Sequence, residues 1–348
     1  MMLFLASIAL GIGPMVLYAI LIWRIDRWER EPIPLLLAAF LWGSIPSVLF
    51  ALIGQAVLGI PMNDLSPDGA LFRQLYQASF VAPLTEEITK GLGLLLLFLF
   101  FEREIDSVLD GLIYGSMIGF GFSAVENVLY FVGQTTPSEL FLLFFLRAFV
   151  FGMLHALFTG LVGVGLALGK FSRNPTLRIA WPLIGLVLAI FTHALHNFFA
   201  TLGGEHLWYA VIGISFGLVW FGVTSVVCLW HENRWIQIHL AEEVENGVLF
   251  SEQAIDAAHF WKRSSLCILT DGYRITRQRH KLLHEATKLA FEKQRHTRFQ
   301  VTEECLQRIA RLRVSVKELS RLDPLFQDLK LSQRKPPPIP PPPIRRIR

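Results

Sequence analysis

Residues 107–132 read SVLDGLIYGSMIGFGFSAVENVLYFV, and this stretch decides the fold class. Between Asp110 and Glu126 it carries no charge, and as a helix it is long enough to cross a hydrocarbon core of roughly 30 Å. Gly115 and Gly119 recur at a spacing of four, a small face that lets another helix backbone come close. No alternating strand pattern competes, and only helices or closed barrels cross lipid without orphaned backbone groups.

Working outward, similar apolar runs occupy about 1–23, 34–58, 82–101, 140–169, 177–201 and 206–230. Across the 348 residues the hydrophobic fraction is 53%, the mean hydropathy is +0.47, and there are 28 Phe and 9 Trp, more apolar surface than a soluble fold of this size carries. The expected fold is all-α: a polytopic transmembrane helix bundle of about seven spans with a mainly helical C-terminal region. Met1–Trp23 lacks a basic n-region and an A-x-A-like site, so it reads as a span and not as a cleaved signal. Cys228, Cys267 and Cys305 lie late, without paired spacing or a nearby His, which argues against a disulfide framework. Nothing in the composition points to nucleic acid.

The formal net charge of +4 is modest, and its placement says more. Arg24, Arg27 and Arg30 follow the first span, Arg103 the third, and Lys170, Arg173 and Arg178 the fifth. Opposite loops hold almost no Lys or Arg beyond Arg73. The positive-inside rule then predicts a multi-pass cell-membrane protein with an extracytoplasmic N-terminus and a cytoplasmic C-terminus. The long connection 59–81 is expected outside, with Leu71 to Phe80 as an interfacial helix able to form a lid. Three divisions follow: a transmembrane catalytic domain (1–230), a cytoplasmic helical region (231–334), and a proline-rich basic tail (335–348) in extended polyproline II form, read first as a solubilising or lipid-contacting end and second as a docking peptide for a partner.

Ionisable residues inside spans are costly and mark function. The third span opens Ala82-Pro83-Leu84-Thr85-Glu86-Glu87-Ile88-Thr89-Lys90, where Lys90 can pair with either carboxylate and the two carboxylates project about 100° apart. The fourth ends on Glu126 and Asn127. The fifth contains Phe151 and His155, the sixth His193 and Asn197 at i, i+4 on one face. Glu86 or Glu87 suits a water-activating base, His155 a group that holds the water, and His193 with Asn197 the donors to an oxyanion, with Lys90, Glu126 and Asn127 in support. A Zn²⁺ held by His155, His193 and Glu87 would suit the same set. H-E-x-x-H is absent, so a metal-free glutamate mechanism stands beside it.

These motifs resemble the PrsW family of intramembrane proteases and, more distantly, the CAAX-protease and bacteriocin-processing group, over roughly residues 15–205. The resemblance rests on Asp26-Arg27-Trp28-Glu29-Arg30-Glu31-Pro32 with Phe40 and Gly43, Glu86-Glu87-Ile88-Thr89-Lys90, Asp110-Gly111 through Gly119-Phe120-Gly121-Phe122 to Glu126-Asn127, His155, and His193 to Asn197. The wider group pairs E-E-x-x-x-R with F-x-x-x-H and H-x-x-x-N, and here Lys90 replaces the Arg one position early. The resemblance implies an intramembrane endopeptidase, a metalloprotease or a metal-free glutamate enzyme. Its substrate would be a membrane-anchored protein in the bilayer, such as an anti-sigma factor. Two other classes compete: an ion or proton transporter built on the same polar cluster, and a non-catalytic membrane scaffold.

Overall fold

A computed structural model describes residues 2–26, 28–63, 69–258, 273–298 and 303–323; Arg27, Cys267 and the proline-rich tail lie outside the described residues. The chain divides into two compact units, Met1–His231 and Glu232–Arg348. Every regular element among the described residues is helical.

In the first unit, α1 (Met2–Trp23) is followed by α2 (Ile33–Trp42), which runs through a π-helical turn at Gly43–Ser47 into α3 (Val48–Asn63). Helix α4 (Ala70–Tyr76) runs through a second π turn at Gln77–Val81 into α5 (Ala82–Phe100). Both turns have a local cause: Pro46 and Pro83 lack an N–H, and their rings press on the carbonyl four residues back, so one wider turn absorbs the clash. The separate interfacial helix expected over Leu71–Phe80 is therefore replaced by one continuous helix from Ala70 to Phe100, since no breaker stronger than Pro83 interrupts it.

Next come α6 (Val108–Val132), then α7 (Pro137–Phe144) with a π segment at Phe145–Val150, α8 (Leu154–Phe171), α9 (Pro175–Leu202) and α10 (Leu207–Glu245). Six stretches are long and apolar enough to span a membrane: Met2–Trp23, Ile33–Gly59, Val108–Val132, Pro137–Phe171, Pro175–Leu202 and Gly204–Glu245. Helix α5 has spanning length as well, and the charges that lower its apolarity, Glu86, Glu87 and Lys90, are 5%, 0% and 0% exposed. It occupies the third of the seven stretches expected from sequence.

Helix α6 is the centre: 89% of its apolar window is buried, against at most 33% for the other five stretches. It packs on α8 as an antiparallel pair whose backbones almost touch. A Cβ at Gly111 would lie 2.4 Å from the Gly163 carbonyl oxygen, one at Gly115 2.5 Å from that of Thr159, and one at Gly119 2.3 Å from that of His155. The small face read at Gly115 and Gly119 is thus the seat of α8. Apolar side chains on the outer faces, such as Leu37, Phe141, Ile179 and Phe216, are exposed, as a lipid-facing surface requires.

The second unit holds the last turns of α10, α11 (Ser251–Ala258), α12 (Tyr273–Arg298) and α13 (Glu303–Leu322). Leu282, Leu283, Ala286, Leu289 and Ala290 give α12 its buried face. Glu243 is fully buried and accepts from Lys293 Nζ at 2.7 Å and from Arg313 Nε and Nη2 at 2.7 Å each, so α10, α12 and α13 share one charged junction. Cys228 and Cys305 form no disulfide among the described residues.

Candidate active site

Four side chains from three helices converge. Glu86, Glu87, His155 and His193 each offer a ligand atom, and these atoms all lie within 4.8 Å of one another. Their placement follows from local structure. The continuous helix from Ala70 puts Glu86 and Glu87 mid-helix, not near an N-terminus. His155 comes from a break: the π segment ends at Val150, residues 151–153 leave the helix, and α8 restarts at Leu154. The Ala148 carbonyl accepts from the Tyr18 hydroxyl at 3.1 Å, and Gly152 packs where a Cβ would sit 2.1 Å from that same oxygen. His155 therefore stands in the first turn of α8, its backbone pressed on Gly119.

The adjacent glutamates have different environments. Glu87 is enclosed: its Oε1 accepts from Lys90 Nζ at 2.6 Å and lies 2.9 Å from His193 Nδ1, and its Oε2 accepts from Thr159 Oγ1 at 3.4 Å. Glu86 faces a cavity of about 770 Å³ lined by Gln55, Glu126, Arg147, His155, His193 and others. Its Oε1 accepts from Gln55 Nε2 at 3.2 Å, whereas the buried Oε2 has no hydrogen-bond partner among the described residues.

Both histidines are oriented by carboxylates. His193 Nδ1 sits on Glu87, and His155 Nε2 lies 2.8 Å from Glu126 Oε2. An N–H directed to each carboxylate leaves the lone pairs of His193 Nε2 and His155 Nδ1 facing the cluster. Two imidazole nitrogens plus the unpartnered Glu86 oxygen form a His₂Glu donor set, with Glu87 and Glu126 behind the imidazoles. That set fits a divalent metal of the zinc type. Charge agrees: three carboxylates (Glu86, Glu87, Glu126) face two fixed cations (Lys90, Arg147). Lys90 Nζ, fully buried and 3.0 Å from His155 Nδ1, competes for that nitrogen. It also lies over the Phe122 ring at 4.3 Å.

The remaining expected residues lie near but act elsewhere. Asn197 lines the cavity, and its Nδ2 donates to the Ala78 carbonyl at 2.8 Å, tying α9 to the π turn before α5. Asn127 Oδ1 accepts from Arg147 Nε at 2.9 Å. Sequence reasoning missed Arg147, whose Nη2 lies 2.7 Å from Glu126 Oε2 and whose guanidinium covers the Tyr130 ring at 3.8 Å. The rule that ionisable residues inside spans are informative, applied to the fifth span, catches it. His196, also unassigned, lines the cavity with a buried Nδ1 that has no hydrogen-bond partner among the described residues.

Arg147→Met leaves Glu126 with only His155 as a partner. Thermal stability is expected to fall by on the order of 2 kcal/mol, because a largely buried carboxylate loses its cation. An unchanged melting midpoint would show that this ion pair carries no stability.

Comparison with known proteins follows the same region. The sequence profile described as "PrsW family intramembrane metalloprotease" matches residues 31–228. "Protease PrsW" of Bacillus subtilis (strain 168) is 26% identical over 218 residues, 63% of this chain and 93% of the relative. "Protease PrsW" of Clostridioides difficile (strain 630) is 25% identical over 194 residues, 56% of this chain and 78% of the relative. That of Geobacillus kaustophilus (strain HTA426) is 23% identical over 220 residues, 63% and 90%. No solved structure matches significantly.

Proposed function

The chain belongs to the PrsW family of intramembrane metalloproteases, and from this premise we propose that Glu86 is the carboxylate that takes the proton from the attacking water. The observation that carries this is the contrast between neighbours: Glu86 lines the cavity with a buried oxygen that makes no hydrogen bond among the described residues and has Lys90 Nζ and His193 Nε2 only at 3.8 and 3.9 Å, whereas Glu87 is hydrogen-bonded by Lys90, His193 and Thr159.

In this reading Glu87 positions His193, and Glu126, held by Arg147, positions His155. His155 and His193 would hold the metal, Zn²⁺ being the ion that suits them, with Glu86 beside it as the base and not as a ligand, and when bound it would supply Lewis-acid activation of water and carbonyl. Glu86 moves the water proton to the departing amine, and the N–H of Asn197 left over from its bond to Ala78 is available to the oxyanion. His193 spends its N–H on Glu87, which disfavours it as an oxyanion donor. The place of Lys90 supports a second, metal-free reading, in which its ammonium balances the two glutamates. Chelation of the purified protein separates the two: cleavage lost with a chelator and restored by Zn²⁺ supports the metal, and undiminished cleavage after verified metal removal overturns it.

The substrate is inferred to be a membrane-anchored protein, a regulator such as an anti-sigma factor. An apolar groove of about 350 Å³ between α8, α9 and α10 shares Leu154, Phe158 and His196 with the cavity, a route from lipid to the glutamates. A Cβ at Gly213, on this groove, would meet nothing within 4 Å. Gly213→Trp should therefore fold normally yet slow cleavage of a transmembrane substrate by about tenfold or more. Equal rates for wild type and variant would remove the groove from the entry route.

The loop charges support an extracytoplasmic N-terminus and a cytoplasmic C-terminus. A reporter fused after Lys170 should read cytoplasmic, and one inserted in 133–139 extracytoplasmic. The reverse pattern would invert the topology.

A further inference from the structure

A second cluster of acids lies far from the first. Asp26 in the α1–α2 loop, Glu31 just before α2, and Asp110 in the first turn of α6 each present a carboxylate oxygen, and these lie within 4.8 Å of one another. They are 2%, 5% and 6% exposed. Asp110 is sixteen positions before Glu126 on α6, about 24 Å along the axis at 1.5 Å per residue.

Backbone and hydroxyl donors reach each of the three, and Glu31 also shares a side-chain hydrogen bond with Asp110. Asp26 Oδ1 accepts from the backbone N–H of Trp28 at 3.2 Å and of Glu29 at 3.4 Å. Asp110 accepts from the N–H of Asp106 at 2.6 Å and of Ser107 at 2.8 Å, and from Ser107 Oγ at 2.8 Å. Glu31 Oε2 accepts from the fully buried Tyr114 hydroxyl. No ion pair among the described residues reaches any of the three. Asp26 Oδ2 is left over: it is buried and has no hydrogen-bond partner among the described residues.

A carboxylic O–H at Asp26 would need an acceptor, and none is bonded to Oδ2. A buried carboxylate oxygen with no hydrogen-bond partner among the described residues, on one of three clustered acids, has the chemistry of a metal ligand. Burial and the neighbouring Asp110 push the Asp26 and Glu31 carboxyls above their ordinary range, and a bound cation would offset that cost.

We propose that Asp26, Glu31 and Asp110 form an all-oxygen site for a hard divalent cation, Mg²⁺ or Ca²⁺, that pins the α1–α2 loop to the start of α6. Oxygen-only donors suit these ions and disfavour Zn²⁺, which suits the His-containing cluster instead. Because α6 carries Glu126 and seats α8, a brace at its start stiffens the scaffold of the candidate active site without touching substrate.

The test uses the full chain in detergent, stripped of metal, with Tb³⁺ as probe and tryptophan excitation; Trp28, buried two positions from Asp26, is the expected sensitiser. Saturable emission from one ion per chain is expected, displaced by Mg²⁺ or Ca²⁺, with a melting midpoint raised by several degrees in the displacing ion. The ion that displaces at lower concentration identifies the native class. Asp26→Asn and Glu31→Gln should each weaken Tb³⁺ binding by about tenfold or more, and His193→Ala should leave it unchanged. Absence of saturable emission and of any midpoint shift in the wild type overturns the proposal, whether or not the variants fold. So does binding that persists unchanged in both variants, or that is lost in His193→Ala.

Discussion

Glu86→Gln is expected to abolish cleavage of a membrane substrate while the protein keeps its melting midpoint. The substitution keeps volume and the contact with Gln55, and removes the charge on an oxygen that makes no hydrogen bond among the described residues and has Lys90 Nζ only at 3.8 Å, while Lys90 keeps its 2.6 Å partner Glu87. Loss of a water-activating carboxylate costs about a hundredfold to ten-thousandfold in rate. Glu87→Gln should be equally inactive for another reason, and it should also be less stable. It leaves the fully buried Lys90 without its 2.6 Å partner and His193 without its orienting acceptor. Removing one member of a buried pair costs about 3–5 kcal/mol. His155→Ala and His193→Ala should lose activity in the same assay. Cleavage that survives Glu86→Gln but not Glu87→Gln would exchange the roles given to the two glutamates; survival in all four would remove the site and put the catalytic groups elsewhere.

The second large effect is structural. Gly119→Ala should lower stability and activity together, because the added Cβ falls 2.3 Å from the His155 carbonyl oxygen and 2.6 Å from the Ala156 nitrogen. Both neighbours are backbone, so α8 must move as a unit and take His155 with it. Overpacking of this kind costs about 1–3 kcal/mol or more. Gly222→Ala on α10 is the control: nothing lies within 4 Å of its Cβ, and helix propensity alone makes it neutral or favourable by up to about 1 kcal/mol. If Gly119→Ala matched the control in melting midpoint, the close approach of α6 and α8 would not be what sets His155.

Hydrophobic run length determined six of the seven expected spans, α5 excepted, since a helix in lipid must satisfy its own backbone over about 20 residues. The rarity of charge within those runs singled out Glu86, Glu87, Glu126, His155 and His193, because an ionisable group in a span needs a reason. Periodicity also put His193 and Asn197 on one face and made Gly115 and Gly119 a contact stripe. All of these are short-range properties, fixed within one helix.

What lay between helices was decided only in three dimensions. Adjacent glutamates differ by about 100° of azimuth, and nothing local says which one meets Lys90, His193 and Thr159 and which one meets the cavity; the neighbours of α5 decide. The break at 151–153 that sets His155 at a helix start depends on Tyr18, far away in sequence, capping the Ala148 carbonyl. Arg147 gained meaning only when α6 brought Glu126 to it. The Asp26, Glu31 and Asp110 carboxylates belong to three segments that no spacing rule connects, and they meet because α1 and α2 pack against α6 while the loop between them folds onto its first turn. Sequence sets which groups a helix carries and on which face; backbone approach, granted by glycine, sets which of those groups can touch.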